Sequence, residues 1–573
     1  MKFRWSIAPP QPALAAHLAD AAQISRLLAQ CLLNRGFSEP DEINRFLDPR
    51  LKMLADPFLL PNMNAAVERL LAARERDEPL VIFGDYDVDG VTSAALLIEV
   101  LTALGWKVDF YLPHRFDEGY GLSQEGVENC LKKFQVKLLL AVDCGSTAVP
   151  SISWLKKKGI DVIVLDHHQV SDPLPTAVAL VNPHLAPANS PQKFVELCSA
   201  GLAFKLAHAL LKRTRELGWT QAHEFDIRPL LDLVALGTIA DLVPLTGENR
   251  ILTKIGLEYL NESKRPGIIA LKGVAQINGD IGCYEVGFQL APRLNAAGRL
   301  ENAEEALRLL LSRDVAEAMP IAESLDSRNR ERQEIERSIS TEVIEAVKAR
   351  FNSETDFVIV EGQLLWHIGV VGIVASRVLH EFYRPTFIIG GEGDTWRGSG
   401  RSIEGFDLAA ALRECDDLLV KHGGHAMAAG LTIDPKNLKT FRCRLNEIAR
   451  RTLKREQLQP VLRLDADVDL SELSIEWLQE LEKLEPLGQK NPTVNLCARN
   501  LTHQRTPQRM GKQNQHAKFW VGTGGKVVEA VWWNCGEVPL PKVSFDLAFT
   551  PQINEFNGRS SVQLKVLDWR PAT

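Results

Sequence analysis

Three short apolar runs in the first half of the chain each close on groups that bind cations. Leu80-Val81-Ile82-Phe83 leads into Gly84-Asp85-Tyr86-Asp87-Val88-Asp89-Gly90. Leu138-Leu139-Leu140-Ala141-Val142 leads into Asp143, and Val162-Ile163-Val164-Leu165 into Asp166, His167 and His168. Short apolar runs of this kind read as buried strands, and open α/β sheets bind ligands just beyond the carboxyl ends of their strands. Carboxylates gathered on one rim repel one another unless cations lie between them. The pattern points to a multi-metal site. Alternate residues of an extended segment share a face, so Asp85, Asp87 and Asp89 are expected to reach one or two hard cations together. An EF-hand is excluded, because the Glu that closes such a loop is missing. Imidazole beside carboxylate suits Mn²⁺, Fe²⁺ or Zn²⁺ better than Ca²⁺. A fourth acid-bearing end, alongside the three strand ends, is expected at Thr238-Ile239-Ala240-Asp241.

The elements that must carry these groups follow from the surrounding pattern. Between about residues 78 and 274, apolar strands (107–112, 135–142, 160–165) alternate with helical stretches such as 91–104, the signature of βαβ units and a parallel sheet. Residues 1–60 read as an N-terminal extension of short helices broken by prolines, and 61–275 as the catalytic domain. A connector spans 276–351. Within it, the stretch 315–351 has one proline, Pro320, no glycine and many Glu, Arg and Ala, which predicts a long solvated helix joining two domains. Residues 352–458 return to strands and glycines, a smaller α/β domain. In 459–573 the strand-like segments 518–521, 527–533, 543–549 and 562–566, with turn residues between them, suggest a β-barrel of the OB type. Trp520, Trp532, Trp533 and Phe556 are candidate stacking platforms for bases, with two of the four expected at the surface. Arg499, Arg505, Arg509, Lys512, Lys518 and Lys526 form a basic stripe with no acid between them.

The formal charge of −7 does not advertise a nucleic-acid binder, but carboxylates at a metal site contribute to that sum, so local patches matter more. A hydrophobic fraction of 45% with 24% charged residues is that of a soluble globular protein, no long uncharged apolar run is present, and the N-terminus lacks a secretory core. A cytoplasmic location without membrane contact is expected. The nine cysteines form no Cys-x-x-Cys pair and read as buried small residues in a reducing compartment.

The acidic motifs carry a family resemblance. Residues 85–90, Val142-Asp143-Cys144-Gly145, Asp166-His167-His168 and Gly237-Thr238-Ile239-Ala240-Asp241, in that order, resemble the four motifs of the DHH phosphoesterase superfamily. Gly423-Gly424-His425-Ala426-Met427-Ala428-Ala429-Gly430 resembles the glycine-rich signature of the DHH-associated domain. The segments 293–299, 367–373 and 554–559 narrow the resemblance to the RecJ family of bacterial single-strand-specific 5′→3′ DNA exonucleases, over essentially the whole chain. Asp85 stands where pyrophosphatase relatives carry an upstream His, which favours the nuclease branch.

The resemblance implies an α/β protein. A parallel-sheet DHH domain is joined by a long helix to a smaller DHH-associated domain, followed by an OB-like barrel. It implies two divalent cations, Mn²⁺ or Mg²⁺, held by Asp87, Asp89, Asp143, His167 and Asp241, with Asp143 bridging and Asp85 as an additional ligand. His168 would contact the scissile phosphate and Asp166 would orient the histidines. Water would be the nucleophile, with no covalent intermediate. Ser399, Arg401, Gly423, Gly424 and His425 would bind nucleotide phosphates, with Arg293 and Arg299 in support. The barrel would grip the strand through Trp520, Arg505, Arg509, Lys512 and Lys518. The implied activity releases 5′-mononucleotides in DNA recombination and repair. The partners would be single-stranded DNA, single-stranded DNA-binding protein and a helicase, around a monomeric enzyme. The rival readings are a DHH-family phosphatase, pyrophosphatase or short-oligonucleotide phosphodiesterase, which needs no barrel, and an inert binding module, which would have lost one of the acids.

Overall fold

The computed structural model describes residues 3–114, 117–119, 121–187, 190, 194–300, 302–391, 393–523, 525–536 and 538–572. The chain forms two compact units, one of residues 8–327 and 464–573, the other of residues 1–7 and 328–463.

The larger unit contains a five-stranded parallel sheet of β1 (Leu80–Gly84), β2 (Val108–Tyr111), β3 (Leu138–Val142), β4 (Asp161–Leu165) and β5 (Ala179–Val181), in the order β2-β1-β3-β4-β5. Every residue of β1 and β3 is buried, because helices cover both faces of the sheet, so these strands are continuously apolar without alternation. The register brings the carboxyl ends level: Gly84 pairs with Val142, and Val142 with Leu165. The ladder runs one step further, with the amides of Asp85, Asp143 and Asp166 donating to Val142, Leu165 and Val181 at 3.0–3.2 Å. That step lines up the polar residues on one rim.

Three helices close this rim: α1 (Val88–Ala103), α2 (Ser199–Glu216) and α3 (Leu231–Ala240), packed on one another in the main core. Two expectations are corrected here. The first acidic motif is not an extended strand with alternating acids. It leaves β1 at Gly84 and turns at once into α1, with Asp87 as the helix N-cap and Asp89 in the first turn. Gly90 permits that turn, since a Cβ there would lie 2.5 Å from the Asp85 carbonyl oxygen. The fourth acid does not end a strand either. The apolar run before it is α3, fully buried from Leu231 to Ile239, and Asp241 is its C-cap. An apolar run of ten residues has no period that separates a buried helix from a buried strand.

Beyond α3, α4 (Ala291–Leu300) lies against the first acidic loop, where a Cβ at Gly298 would meet the Tyr86 carbonyl at 2.7 Å. The expected long helix is α5 (Val315–Arg350), 36 residues with Pro320 inside, and the two compact units divide within it, between Ser327 and Arg328. It is not solvated all round. Asn329, Arg332, Glu336, Ser340, Val343 and Val347 are buried, and Arg332 donates to Glu336 at 2.6 Å and to Asn329 at 2.9 Å. The charged composition concealed one buried face.

In the smaller unit, β6 (Ile359–Leu364), β7 (Thr386–Gly391), β8 (Trp396–Arg401), β9 (Leu419–Gly424) and β10 (Ala428–Ile433) form a mixed sheet in the order β9-β10-β8-β7-β6. Only the β6–β7 pair is parallel.

The C-terminal segment is a seven-stranded sheet, five strands of which close into a barrel: β11 (Ala466–Asp467), β12 (Leu496–His503), β13 (Gln508–Met510), β14 (His516–Gly522), β15 (Val527–Trp532), β16 (Phe545–Phe556) and β17 (Arg559–Pro571). The order is β11-β12-β16-β17-β15-β14-β13, with a further β12–β14 pairing. The N-terminal extension is not separate from it. Leu18, Leu28, Leu32, Ile43 and Phe46, from helices Pro12–Ala22, Arg26–Asn34 and Pro40–Leu47, share one core with Leu496, Phe519, Phe545 and Phe549. All nine cysteines are free thiols and seven are buried. Among the described residues, no helix is long and apolar enough to cross a membrane.

Candidate metal centre

The rim assembles four strand ends and three helix ends around one cluster. Asp85 and Asp87 come from the β1–α1 turn, Asp89 from the first turn of α1, Asp143 from the end of β3, Asp166, His167 and His168 from the end of β4, and Asp241 from the end of α3. His167 Nε2 lies 3.4 Å from an Asp241 oxygen, 3.6 Å from Asp143 Oδ1 and 3.9 Å from Asp89 Oδ2. That nitrogen is buried without a hydrogen-bond partner. A ring nitrogen facing three carboxylate oxygens, at distances too long for hydrogen bonds, suits a cation between them. Asp89, His167 and Asp241 form one group whose ligand atoms lie within 4.8 Å of one another, Asp85, Asp87 and Asp143 a second, and Asp143, His167 and His168 a third that overlaps both. Asp143 belongs to the second group yet faces His167 of the first, the position of a bridging carboxylate. The donor set of hard oxygens and one or two imidazoles fits Mn²⁺ or Mg²⁺.

Electrostatics agree with a cluster built to be neutralised. Burial, then the charge of Asp87, pushes the Asp89 carboxyl up to about 6. Burial, then Asp89 and Asp87, pushes Asp241 up to about 8. Burial and four neighbouring carboxylates raise Asp143 well above the usual carboxylate range. Burial, then the charge of His168, lowers His167 to about 4, which favours its neutral form at neutral pH. His168 behaves oppositely. Burial works against its charge, but the Asp166 carboxylate, 2.8 Å from Nδ1, together with Asp241 and Asp85, lifts it to about 9. Burial opposes ionisation of Asp166 too, yet the bonds from His168 and Ser146 hold it well below the ordinary range.

Several supporting residues escaped the reading of the sequence. Ser199 and Ala200, at the start of α2, donate their amides to Asp89 at 2.7 and 2.8 Å, and Ser199 Oγ donates to Asp143 Oδ1 at 2.9 Å. The Ser146 amide donates to Asp166 at 3.0 Å, and Asn182 Nδ2 donates to Ser146 Oγ and to the His168 carbonyl, both at 2.8 Å. Asn182 follows β5, the fourth strand end on the rim. Its signal was the apolar triplet Ala179-Leu180-Val181 running into Asn182-Pro183. Asn295 Oδ1 accepts from the Val88 amide at 3.2 Å and ties α4 to the first motif.

Of the phosphate-binding candidates, Ser399, Arg401, Gly423 and Gly424 lie on the other unit's sheet, with His425 in the turn after β9. Ser399 pairs with Gly430 and Gly430 with Gly423, so three strands bring Ser399, Gly423 and Gly430 into one row, with Arg401 and Gly424 beside it. Arg401 Nη1 donates to Ser399 Oγ at 3.0 Å. No side chain crowds the floor at Gly423, and His425 is exposed. Arg299 lies on α4, and the Arg293 guanidinium is already paired with buried Asp326 at 2.9 Å.

On the barrel the basic stripe is not uniform. Acids from neighbouring strands pair with Arg499 (Asp467, 2.5 Å) and Lys518 (Glu529, 2.6 Å). Arg509 donates to the carbonyls of Gly536 and Val538, and Lys526 to that of Leu473. The stripe was read along the chain, whereas its neutralising acids come from other strands. Lys512 and Arg505 are exposed. Arg505 lies 5.1 Å and Lys518 5.4 Å from the centre of the half-buried Trp520 ring. Trp533 and Phe556 are exposed and Trp532 is half-buried.

Comparison with known proteins agrees with this architecture. Residues 79–238 match the profile of the DHH family N-terminal domain, 355–451 the DHHA1 domain, and 464–568 the RecJ OB domain. The single-stranded-DNA-specific exonuclease RecJ of Bacillus subtilis is 37% identical over 99% of this chain and 71% of its own length, and that of Dickeya dadantii 36% identical over 97% of each. The crystal structure of RecJ in complex with Mn²⁺ from Thermus thermophilus superposes with a TM-score of 0.85 at 31% identity, covering 100% of this chain and 80% of that one. Matched in three successive domains and along nearly its whole length, the chain belongs to the RecJ family of single-stranded-DNA-specific exonucleases.

Proposed function

We propose that this protein is a metal-dependent exonuclease that hydrolyses phosphodiester bonds of single-stranded DNA from the 5′ end and releases 5′-mononucleotides. The observation that carries the reading is the partnerless buried Nε2 of His167, set among the carboxylates of Asp89, Asp143 and Asp241. The relatives with which the chain shares its domains are named single-stranded-DNA-specific exonucleases, and one RecJ has a solved Mn²⁺ complex.

In this reading Asp89, His167 and Asp241 would hold one divalent cation, Asp85 and Asp87 the other, with Asp143 available to both. Such a site would supply Lewis acidity, which activates water and offsets charge on phosphoryl oxygens. The protein's own groups do the rest. Asp166 keeps a proton on His168 Nδ1 and fixes its ring, so contact with the phosphoryl group falls to Nε2. Ser399, Arg401 and the glycine row of β9 and β10 bind phosphates and read the 5′ end. Trp520, with Arg505 and Lys518 at its ring, stacks on a base and extends the grip along the strand. The barrel favours a long polynucleotide over a small phosphate ester as substrate. Single-stranded DNA-binding protein and a helicase are the proposed partners in recombination and repair.

The test is degradation of a long single strand, labelled at either end, with duplex and dinucleotide as controls and with Mn²⁺ present or chelated. Release of 5′-mononucleotides from the single strand, dependent on Mn²⁺ and absent on duplex, is expected. Cleavage of the dinucleotide alone would replace the reading with that of a short-oligonucleotide phosphodiesterase.

A further inference from the structure

Ser199 is fully buried and uncharged, yet it touches both halves of the acidic cluster. It is the first residue of α2, an 18-residue helix, and its hydroxyl does not cap that helix: the N-cap is Cys198, with no side-chain cap bond. The Ser199 hydroxyl donates instead to Asp143 Oδ1 at 2.9 Å, and its amide to Asp89 Oδ2 at 2.7 Å. The amide of Ala200 takes the other oxygen of Asp89 at 2.8 Å. Asp89 belongs to the group of His167 and Asp241, and Asp143 to the group of Asp85 and Asp87. One residue therefore ties the two candidate cation positions to the same helix end.

We propose that Ser199 is a positioning residue of the metal centre, which sets the spacing and orientation of Asp89 and Asp143 before cations arrive. The inference rests on the metal-centre reading given above. Two buried carboxylates near each other repel, and three donors at the positive end of a helix offset that repulsion. Each donor also fixes geometry. Asp89 accepts one backbone amide on each oxygen, which fixes the plane of its carboxylate. Asp143 accepts the hydroxyl on the oxygen that faces His167, which limits how that carboxylate can rotate. The surroundings allow no slack, because a Cβ at Gly237 on α3 would meet Ala200 Cβ at 2.6 Å and Asp89 Oδ1 at 2.9 Å. Groups that orient metal ligands in this way typically alter metal affinity about 10- to 100-fold when removed.

The test is calorimetric titration with Mn²⁺ alone on the full-length protein and on Ser199→Ala. Ser93→Ala serves as a control, since it also removes a buried hydroxyl, one that has no hydrogen-bond partner. Ser199→Ala is expected to fold, to bind Mn²⁺ about 10- to 100-fold more weakly, and to need correspondingly more Mn²⁺ for half-maximal hydrolysis. Its KM for a single strand at saturating Mn²⁺ should stay at the parent value, and Ser93→Ala should match the parent throughout. Should Ser199→Ala not fold, Ser199→Cys keeps a small side chain with a weaker donor and should show the same shift in smaller measure. Unchanged Mn²⁺ affinity in a folded Ser199 variant, or an equal loss in Ser93→Ala, would overturn the positioning role and leave the metal centre standing. If the parent protein bound no Mn²⁺, the metal-centre reading itself would fall, and this role with it.

Discussion

Asp89 and Asp143 are buried with the half-buried Asp241 beside them, and carboxylates this close resist being ionised together without cations, a conflict that defines the site at the scale of residues. In the metal-free protein Asp241 titrates near 8 and His168 near 9, both above their unfolded values. A group with a raised folded pKa adds stability below its unfolded pKa and loses it as the pH rises through the folded one. Both groups therefore act in the same sense above pH about 6.5, whereas the lowered His167 acts only below that point. The melting temperature of the chelated protein should fall between about pH 6.5 and 9, and saturating Mn²⁺ should flatten that slope. A metal-free melting temperature that rises across the same range would show that the carboxylates are not in conflict. Asp143→Ala removes the carboxylate common to both cation positions, and hydrolysis should drop to the assay background. Strand binding should persist, because phosphate contacts elsewhere dominate affinity. Near-normal turnover at high Mn²⁺ would exclude bridging by Asp143.

At the scale of elements, the strand ends were legible because a short, wholly apolar run that closes on an acid marks the point where a buried strand meets solvent. β1, β3 and β4 fall where their sequence places them. The helical contributions were less legible. Asp241 stands at the end of α3, and a segment apolar but for Asp232 and Thr238 carries no clear period to say so. Ser199 and Asn182 lie among ordinary residues, and only the fold brings them to the acids. The three helices meet at Gly237, where an added Cβ would stand 2.6 Å from Thr92 Oγ1 on α1 and 2.6 Å from Ala200 Cβ on α2. Gly237→Ala should destabilise the protein by about 1–3 kcal/mol through overpacking and weaken Mn²⁺ binding, both measurable in a thermal melt with and without the ion. A variant as stable and as responsive to Mn²⁺ as the parent would mean that the helix junction is slack.

At the scale of the whole molecule, the three domain types and the linking helix were evident from the order of motifs and the change in composition. The partnership of the N-terminal helices with the barrel was not, since more than 400 residues separate Leu32 from Phe519. Arg250 adds a second tie within the larger unit. Its fully buried guanidinium donates to the carbonyls of Phe46, Lys483, Leu484, Glu485 and Pro486, and lies over the Phe46 ring at 3.8 Å. Burial lowers its pKa to about 10, so it stays charged at neutral pH. Arg250→Met would leave several buried carbonyls unpaired, at about 1–3 kcal/mol each for those that find no water. A loss of at least about 3 kcal/mol in denaturant unfolding is expected, and a loss below about 1 kcal/mol would show that those carbonyls find other partners. Cutting the chain before the barrel should likewise expose the apolar faces of the N-terminal helices and not yield a clean catalytic fragment.

The central claim is a two-cation centre at the carboxyl rim of the parallel sheet, and anomalous diffraction at the manganese edge from crystals grown with Mn²⁺ tests it most directly. Two peaks are expected, one bounded by Asp89, His167 and Asp241, the other by Asp85 and Asp87, with Asp143 between them. Manganese bound elsewhere while this rim stays empty, or a single peak that does not touch Asp143, would contradict the account.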